Sequence, residues 1–308
     1  MPDQKSVPRV RAAELFRSCV FTRAELRERG WSSERLTAMV RDGRLLRLRR
    51  DRYAFPGLPA EIGEAVRVGG RLSCLTLLRS LGVFVHRCAG THIHIRPGTS
   101  RLRPRSRDTV LHWTESFDAE APLHVVSLID AVGQAIRCQE PRAALATLDS
   151  LVHHRLLGMD ELLVVFSTLP RCFRSLLKLI DSSAESGPET YMRLILRTIG
   201  ATFETQVQIV GVGRVDFVVD GWLIVECDSR EYHAGWDAQV ADRRRDLAAA
   251  RQGYVTVRPL AADIMDRPAS VREALRDVID ALSPRRPLRV HNSSESRGSS
   301  LKRLTLAT

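Results

Sequence analysis

The segment RVDFVVDGWLIVECDSREYH, residues 214–233, constrains the fold more than any other part of the chain. Val215, Phe217, Val218 and Val219 form one apolar run, and Leu223, Ile224 and Val225 form a second, with Asp220-Gly221 between them. Near-continuous apolar runs belong in the middle of a sheet, and an Asp-Gly step turns a hairpin. Carboxylates break this pattern at Asp216, Glu226 and Asp228. Burying a carboxylate is unfavourable unless it is paired or binds an ion. Glu226 and Asp228 are two apart and share a sheet face. Whether Asp216 joins them depends on the turn. A three-residue loop, Asp220 to Trp222, sets Asp216 opposite Glu226, whereas a two-residue loop turns it to the other face.

The flanks extend this hairpin into a larger unit over residues 188–282. Ser186 or Gly187 followed by Pro188 starts a helix, whose buried face is Met192, Ile195, Leu196 and Ile199 and whose end is Gly200. Strands follow at 203–210, 214–219 and 222–228, then a helix at 238–252 ended by Gly253. The apolar run 254–259 reads as a strand in a buried sheet position, and 270–282 as a last helix. The tail, 283–308, is basic and rich in Ser and Pro, and is expected to be disordered.

Residues 1–56 have a different texture. Thr22 to Glu25 is a capping box opening a helix closed by Gly30, and Ser32 or Ser33 caps a second helix that ends at Gly43. Leu46 and Leu48 alternate with Arg47 and Arg49, as in a strand, and Arg50-Asp51 turns the chain back through Arg52-Tyr53-Ala54. Helix, helix, basic hairpin is the order of a winged helix-turn-helix. Arg41, Arg44, Arg47, Arg49, Arg50 and Arg52 make this end strongly basic and are the expected phosphate contacts. The chain holds 47 Lys+Arg, of which only Lys5, Lys178 and Lys302 are lysines, and its net charge is +11. Arginine forks onto phosphates and stacks on bases, so nucleic acid is the natural partner.

Between these parts, residues 57–182 form a mixed α/β middle region. Helices are expected at 73–81, 127–137, 141–153, 159–168 and 171–181, short strands at 92–96 and 109–113, and a basic loop at 101–107. Leu128, Ile129, Val132 and Ile136 make one apolar stripe. His92 and His94 share a strand face and could ligate a metal, but as a pair with no nearby third ligand they are read as surface histidines. None of the cysteines Cys19, Cys74, Cys88, Cys138, Cys172 and Cys227 sits at C-x-x-C spacing, so they are read as free thiols rather than as a zinc ribbon or redox motif. No apolar run approaches the ~18 residues of a membrane span. The first residues, MPDQKSVPRVRAAELF, carry no apolar signal core, so a cytoplasmic protein is expected.

Close carboxylates repel by about 4 kcal/mol per pair at an effective dielectric near 20. A divalent cation removes that repulsion, and hard oxygen ligands suit Mg²⁺ or Mn²⁺. Such an ion can polarise a phosphodiester and activate water.

The order Glu189 on a helix, Asp216 on a strand, and Glu226-Cys227-Asp228 on the next strand resembles the PD-(D/E)XK nuclease core. The fuller run, E-C-D-S-R-E-Y-H, then D-R-R-R-D-L, then G-Y-V-T-V-R, resembles a branch close to the very-short-patch-repair endonucleases. Residues 1–180 are similar to the AbiEi-like antitoxins of type IV toxin-antitoxin systems. Arg52, Tyr53, Ala54, Pro56 and Gly57 at the end of the wing carry that likeness, with the L-I-D-A and L-D-S-L runs at Asp130 and Asp149.

Together these resemblances imply a multidomain protein, α+β and α/β. It has an N-terminal winged helix-turn-helix, a mixed middle region and a C-terminal restriction-endonuclease-like α/β core. They imply Asp216 as the principal metal ligand, Glu226 as a second ligand and Asp228 completing the cluster, with Glu189 an accessory group. The motif Lys is Asp228 in this chain, and His233 is the replacement base. Arg243 and Arg245 face phosphate, oriented by Asp242 and Asp246. The implied activity is a Mg²⁺- or Mn²⁺-dependent endodeoxyribonuclease. The alternative is an antitoxin-like transcriptional regulator with an inactive nuclease-like part. DNA is the implied partner, with RNA as a weaker option, a cognate toxin and a homodimer beside it.

Overall fold

The computed structural model describes residues 7–118, 120–228 and 236–283. His233 and the tail from 284 lie outside the described residues. Among the described residues the chain is α+β, with three small sheets.

The first sheet belongs to the N-terminal segment. Helix α1 (Val7–Leu15) leads into β1 (Val20–Phe21), α2 (Arg23–Glu28), α3 (Ser33–Arg41), β2 (Leu46–Arg49) and β3 (Arg52–Ala54). The Thr22 hydroxyl accepts from the Glu25 N–H at 3.1 Å, and the Glu25 carboxylate accepts from the Thr22 N–H at 2.6 Å. Two orphan donors of α2 are thereby satisfied at once. Ser32 caps α3 through the Arg35 N–H. The strands run in the order β1-β3-β2, and Asp51 turns the hairpin at φ +58°. Its carboxylate also accepts from the Arg23 N–H at 2.6 Å, which ties the hairpin tip to the start of α2. The local core is Phe21, Leu26, Leu36, Leu45 and Tyr53. Leu46 departs from the expected alternation, being 38% exposed while Leu45 is buried. The β2–β3 register shifts between Arg47 and Arg49, so a simple period of two does not hold along β2.

The middle region contains α4 (Ala60–Val68), β4 (Arg71–Leu72), α5 (Cys74–Ser80), β5 (His92–Ile95), β6 (Val110–Trp113), α6 (Leu128–Cys138), α7 (Pro141–His153), α8 (Met159–Ser167) and α9 (Arg174–Leu177). Strand β5 is central, antiparallel to β4 and parallel to β6. The expected helix at 171–181 is instead a 3-10 turn, Arg171–Phe173, and the single turn α9. Side chains from neighbouring helices take its backbone groups. Arg193 donates to the Leu179 carbonyl at 2.8 Å, and Asp149 accepts from the Asp181 N–H at 2.8 Å. His92 and His94 are not surface histidines, being 3% and 4% exposed. His94 Nδ1 lies 3.2 Å from Thr114 Oγ1 and 3.1 Å from Gln134 Nε2.

The third sheet lies in the C-terminal part. Its elements are α10 (Gly187–Ile199), β7 (Phe203–Ile209), β8 (Gly213–Val219), β9 (Leu223–Val225), α11 (Trp236–Arg251), β10 (Val255–Val257), α12 (Ala261–Asp266) and α13 (Pro268–Leu282). Strand order is β10-β9-β8-β7, antiparallel except for the β9–β10 pair. Among the described residues β10 is therefore an edge strand, and its residues are exposed to half-buried rather than in the buried sheet position its apolar sequence suggested. Val219 pairs with Leu223, so the hairpin loop is Asp220 to Trp222. Helix α10 begins at the Ser186 cap, whose hydroxyl accepts from the Glu189 N–H, and ends at Gly200 with φ +81°. It is buried nearly all round. Tyr191, Met192, Ile195 and Leu196 share a core with Phe217, Val219, Leu223, Val225, Ile264 and Leu275, and also with Ala143 and Ala146 of α7. A buried ion pair, Arg193 Nη2 to Asp149 Oδ2 at 2.6 Å, crosses the same contact. No described helix is long and apolar enough to cross a membrane.

Candidate nucleic-acid interface and acidic cluster

The hairpin β2–β3 holds its arginines in two ways. Arg41, Arg44, Arg47 and Arg50 are exposed, while Arg49 and Arg52 are half-buried. Arg49 lies over Gly69, where an added Cβ would stand 2.1 Å from its guanidinium. Burial, then Arg103 and Arg52 nearby, hold the Arg49 pKa below the usual arginine range. Arg52 donates to the Asp51 carbonyl at 2.6 Å, so it stiffens the turn. The basic loop joins this surface, because Arg103 donates to the Leu48 carbonyl at 2.9 Å. Beside the hairpin opens a cavity of about 590 Å³ lined by Arg49, Arg50, Arg52, Arg71 and Arg96, with Asp51 and Glu115 on its wall. Arg71 and Arg96 are contributions the sequence did not single out, since they join only through the middle sheet. Such a surface suits the phosphates of a polyanion.

The acidic residues gather around the third sheet. Continuing the β8–β9 register sets Asp216 across from Glu226. The Asp216 carboxylate accepts from the Cys227 N–H at 2.8 Å, and burial raises its pKa above the usual carboxylate range. Glu189, on the first turn of α10, accepts from the Ser186 hydroxyl at 2.7 Å, the Glu185 N–H at 2.9 Å and Gln206 Nε2 at 2.8 Å. Burial foremost, with the Asp216 charge adding to it against these hydrogen bonds, pushes Glu189 up to about 7. Glu226 is held by two arginines, Arg245 at 3.1 Å on Oε1 and Arg258 at 2.8 Å on Oε2. Its pKa is nevertheless raised, because burial outweighs both arginines.

Asp228 is exposed; its N–H donates to the Pro259 carbonyl at 3.1 Å and its carbonyl accepts from the Ala261 N–H at 2.8 Å. The carboxylate oxygens of Asp216, Glu226 and Asp228 do not all lie within 4.8 Å of one another. Among the described residues, the one set of three or more ligand-type side chains whose ligand atoms all lie within 4.8 Å of one another is Cys74, His92, His112 and Cys138.

The arginines of α11 divide in the same manner. Arg243 is exposed. Arg245 is engaged by the protein itself, donating to the Val212 carbonyl at 2.9 Å and the Arg214 carbonyl at 2.8 Å besides Glu226. Asp242 lies 3.8 Å from it. Asp246 pairs with Arg258 at 2.7 Å. Arg258 is thus the bridge between the Glu226 and Asp246 carboxylates. Its place in the G-Y-V-T-V-R run was the only sequence signal for it.

Residues 9–56 match the model of a family described as transcriptional regulator, AbiEi antitoxin. The matched segment ends with the hairpin β2–β3 and leaves the remainder of the chain outside it. No curated protein matches the chain.

Proposed function

We propose that this protein is a DNA-binding transcriptional regulator of the antitoxin type, acting in the cytoplasm on duplex DNA. The coincidence of the AbiEi match over 9–56 with an exposed, arginine-rich helix–helix–hairpin carries the reading. In it, α2 and α3 form the helix-turn-helix, α3 enters the major groove, and β2–β3 is the wing on the flanking phosphates. A cognate toxin is the protein partner this reading takes from the family description, and a second copy of the chain is proposed beside it.

The test is fluorescence anisotropy on duplex DNA across a salt series. Each phosphate neutralised adds about −0.9 to the slope of log K against log salt. Arg47→Glu with Arg50→Glu should lower affinity and flatten that slope. Both side chains are exposed, so the fold survives, whereas Arg49 is too buried to reverse cleanly. Unchanged binding in the double variant would remove the wing from the interface.

One observation favours a second reading, a Mg²⁺- or Mn²⁺-dependent endonuclease with a PD-(D/E)XK-like core over 188–282. Asp216 lies across from Glu226 in the continued β8–β9 register, and burial first, with the Asp216 charge adding to it, raises the pKa of both Glu189 and Glu226. Oxygen donors of this kind fit a hard divalent ion. Asp216 and Glu226 would hold it, with Asp228 and Glu189 beside them and His233 as base, and the ion would activate water against phosphorus. Glu226 would first have to leave Arg245 and Arg258, which is why the reading ranks second. Metal-dependent DNA cleavage that Asp216→Ala abolishes would promote it.

A further inference from the structure

We propose that Cys74, His92, His112 and Cys138 bind a single zinc ion in a closed tetrahedral site that staples the middle region together. The four ligand atoms lie within 4.8 Å of one another. His92 Nδ1 stands 3.0 Å from His112 Nε2 and 3.8 Å from Cys138 Sγ. Zinc bonds of about 2.0–2.1 Å to nitrogen and about 2.3 Å to sulfur make tetrahedron edges of roughly 3.3–3.8 Å. The observed separations are close to such edges, before any ion draws the donors into place.

The ligands come from four elements. Cys74 is the first residue of α5, His92 begins β5, His112 lies on β6 and Cys138 ends α6. In the β5–β6 register His94 faces His112, so His92 and His112 are diagonal neighbours on one sheet face. Their rings stack with centroids 5.3 Å apart. The scaffold holding them is rigid. The Ser73 N–H donates to the His92 carbonyl at 3.0 Å, and the His92 N–H donates to the Thr76 hydroxyl at 2.8 Å. Cys74 itself sits at φ +50°, a left-handed conformation that is unfavourable for a side-chain-bearing residue. Such strain persists only where the surroundings impose it, and here it accompanies the thiol placed among the other three donors.

Donor chemistry selects the ion. Two thiols and two imidazoles are borderline-soft, which disfavours Mg²⁺ and Ca²⁺ and favours Zn²⁺ in four-coordinate geometry. Binding converts both thiols to thiolates and releases two protons to solvent, leaving a neutral centre. Four protein ligands leave no open position, so the ion is structural rather than hydrolytic. His94 stays outside, because Thr114 and Gln134 occupy its Nδ1.

The experiment uses the full chain, purified without a metal-binding tag and analysed by inductively coupled plasma mass spectrometry. One zinc per chain is expected, exchangeable for Co²⁺ with the strong visible bands of tetrahedral thiolate coordination. Cys138→Ser should lose the metal, and Cys172→Ser, altering an exposed and remote thiol, should keep it. Because a ligand loss can unfold the region, His112→Cys provides a second test. It should retain the ion and gain thiolate-to-cobalt charge-transfer intensity. A wild-type chain that carries no zinc and gives no such bands with Co²⁺ would overturn the proposal. So would equal metal loss in Cys172→Ser, or an intact mass showing a Cys74–Cys138 disulfide.

Discussion

Glu189 sits where burial and the Asp216 charge both oppose ionisation, and its pKa is pushed up from an ordinary 4.5 to about 7. The folded state therefore holds this proton more tightly than the unfolded chain. Its contribution to stability is full below the unfolded value and is lost as pH rises through the folded one. Each pKa unit is worth about 1.4 kcal/mol, so the effect is on the order of 3 kcal/mol. Wild-type protein should lose melting temperature between about pH 5 and pH 8, and Glu189→Gln should flatten that decline. Parallel curves would show that Glu189 does not titrate in this window. At Asp149 the issue is charge rather than protonation. Its side chain and that of Arg193 are 1% and 2% exposed, and Thr190 and the Asp181 N–H complete the site. Truncating one partner of such a pair strands the other in the interior, at about 3–5 kcal/mol. Asp149→Ala should show a loss of that size in urea denaturation, and a loss below about 1 kcal/mol would mean that Asp181, 3.7 Å from Arg193 Nε, takes over the charge.

Among the elements, α10 is the one that joins the parts of the chain. Its first residue, Gly187, faces the Phe84 ring, and a Cβ there would stand 2.2 Å from Cζ. Overpacking of this kind destabilises by about 1–3 kcal/mol, since the ring must leave its position. Gly187→Ala should lower the denaturation midpoint accordingly, and Phe84→Leu in the same chain should recover part of the loss. A non-additive double-mutant cycle is the signature, because the two residues touch. The α2 capping box is a local counterpart. Thr22→Ala removes its hydroxyl acceptor for the Glu25 N–H and should cost about 1 kcal/mol by thermal unfolding.

At the scale of the whole molecule, the covalent boundary at 182–187 is not a packing boundary. Helix α10 is buried against α7 on one side and against the third sheet with α12 and α13 on the other. Arg87 and His86 of the middle region reach Asp266 at 2.6 and 3.3 Å, and Tyr191 hydroxyl lies 3.1 Å from His86. A fragment starting at Gly187 would expose the α7-facing side of α10, including Tyr191 and the unpaired Arg193. It should show little native circular dichroism and rapid proteolysis, while the intact chain unfolds in one cooperative step. A fragment as stable as the intact chain would make the two parts independent. The basic surface, by contrast, presents Arg47 and Arg50 of the N-terminal hairpin as exposed side chains. Reversing those two charges should leave the melting temperature unchanged while altering DNA affinity.

Local signals in the sequence determined the local structure. Thr22 with Glu25, Ser32, Ser186 and Gly200 mark helix ends because caps act on backbone groups within one turn. The apolar runs of β8 and β9 were legible because a strand repeats every two residues, whereas the choice of the three-residue loop Asp220 to Trp222 over a two-residue turn came from the folded register. Tertiary structure decided everything that depends on distant residues meeting. It placed Arg258 between Glu226 and Asp246, took the backbone of 179–181 away from a helix, and moved β10 to an edge despite its apolar sequence. It also drew Cys74, His92, His112 and Cys138 together from positions with no common spacing. Hydrogen bonds along the chain have a period that sequence displays, whereas convergence across it follows from which faces pack, and packing is settled only once the whole core has formed.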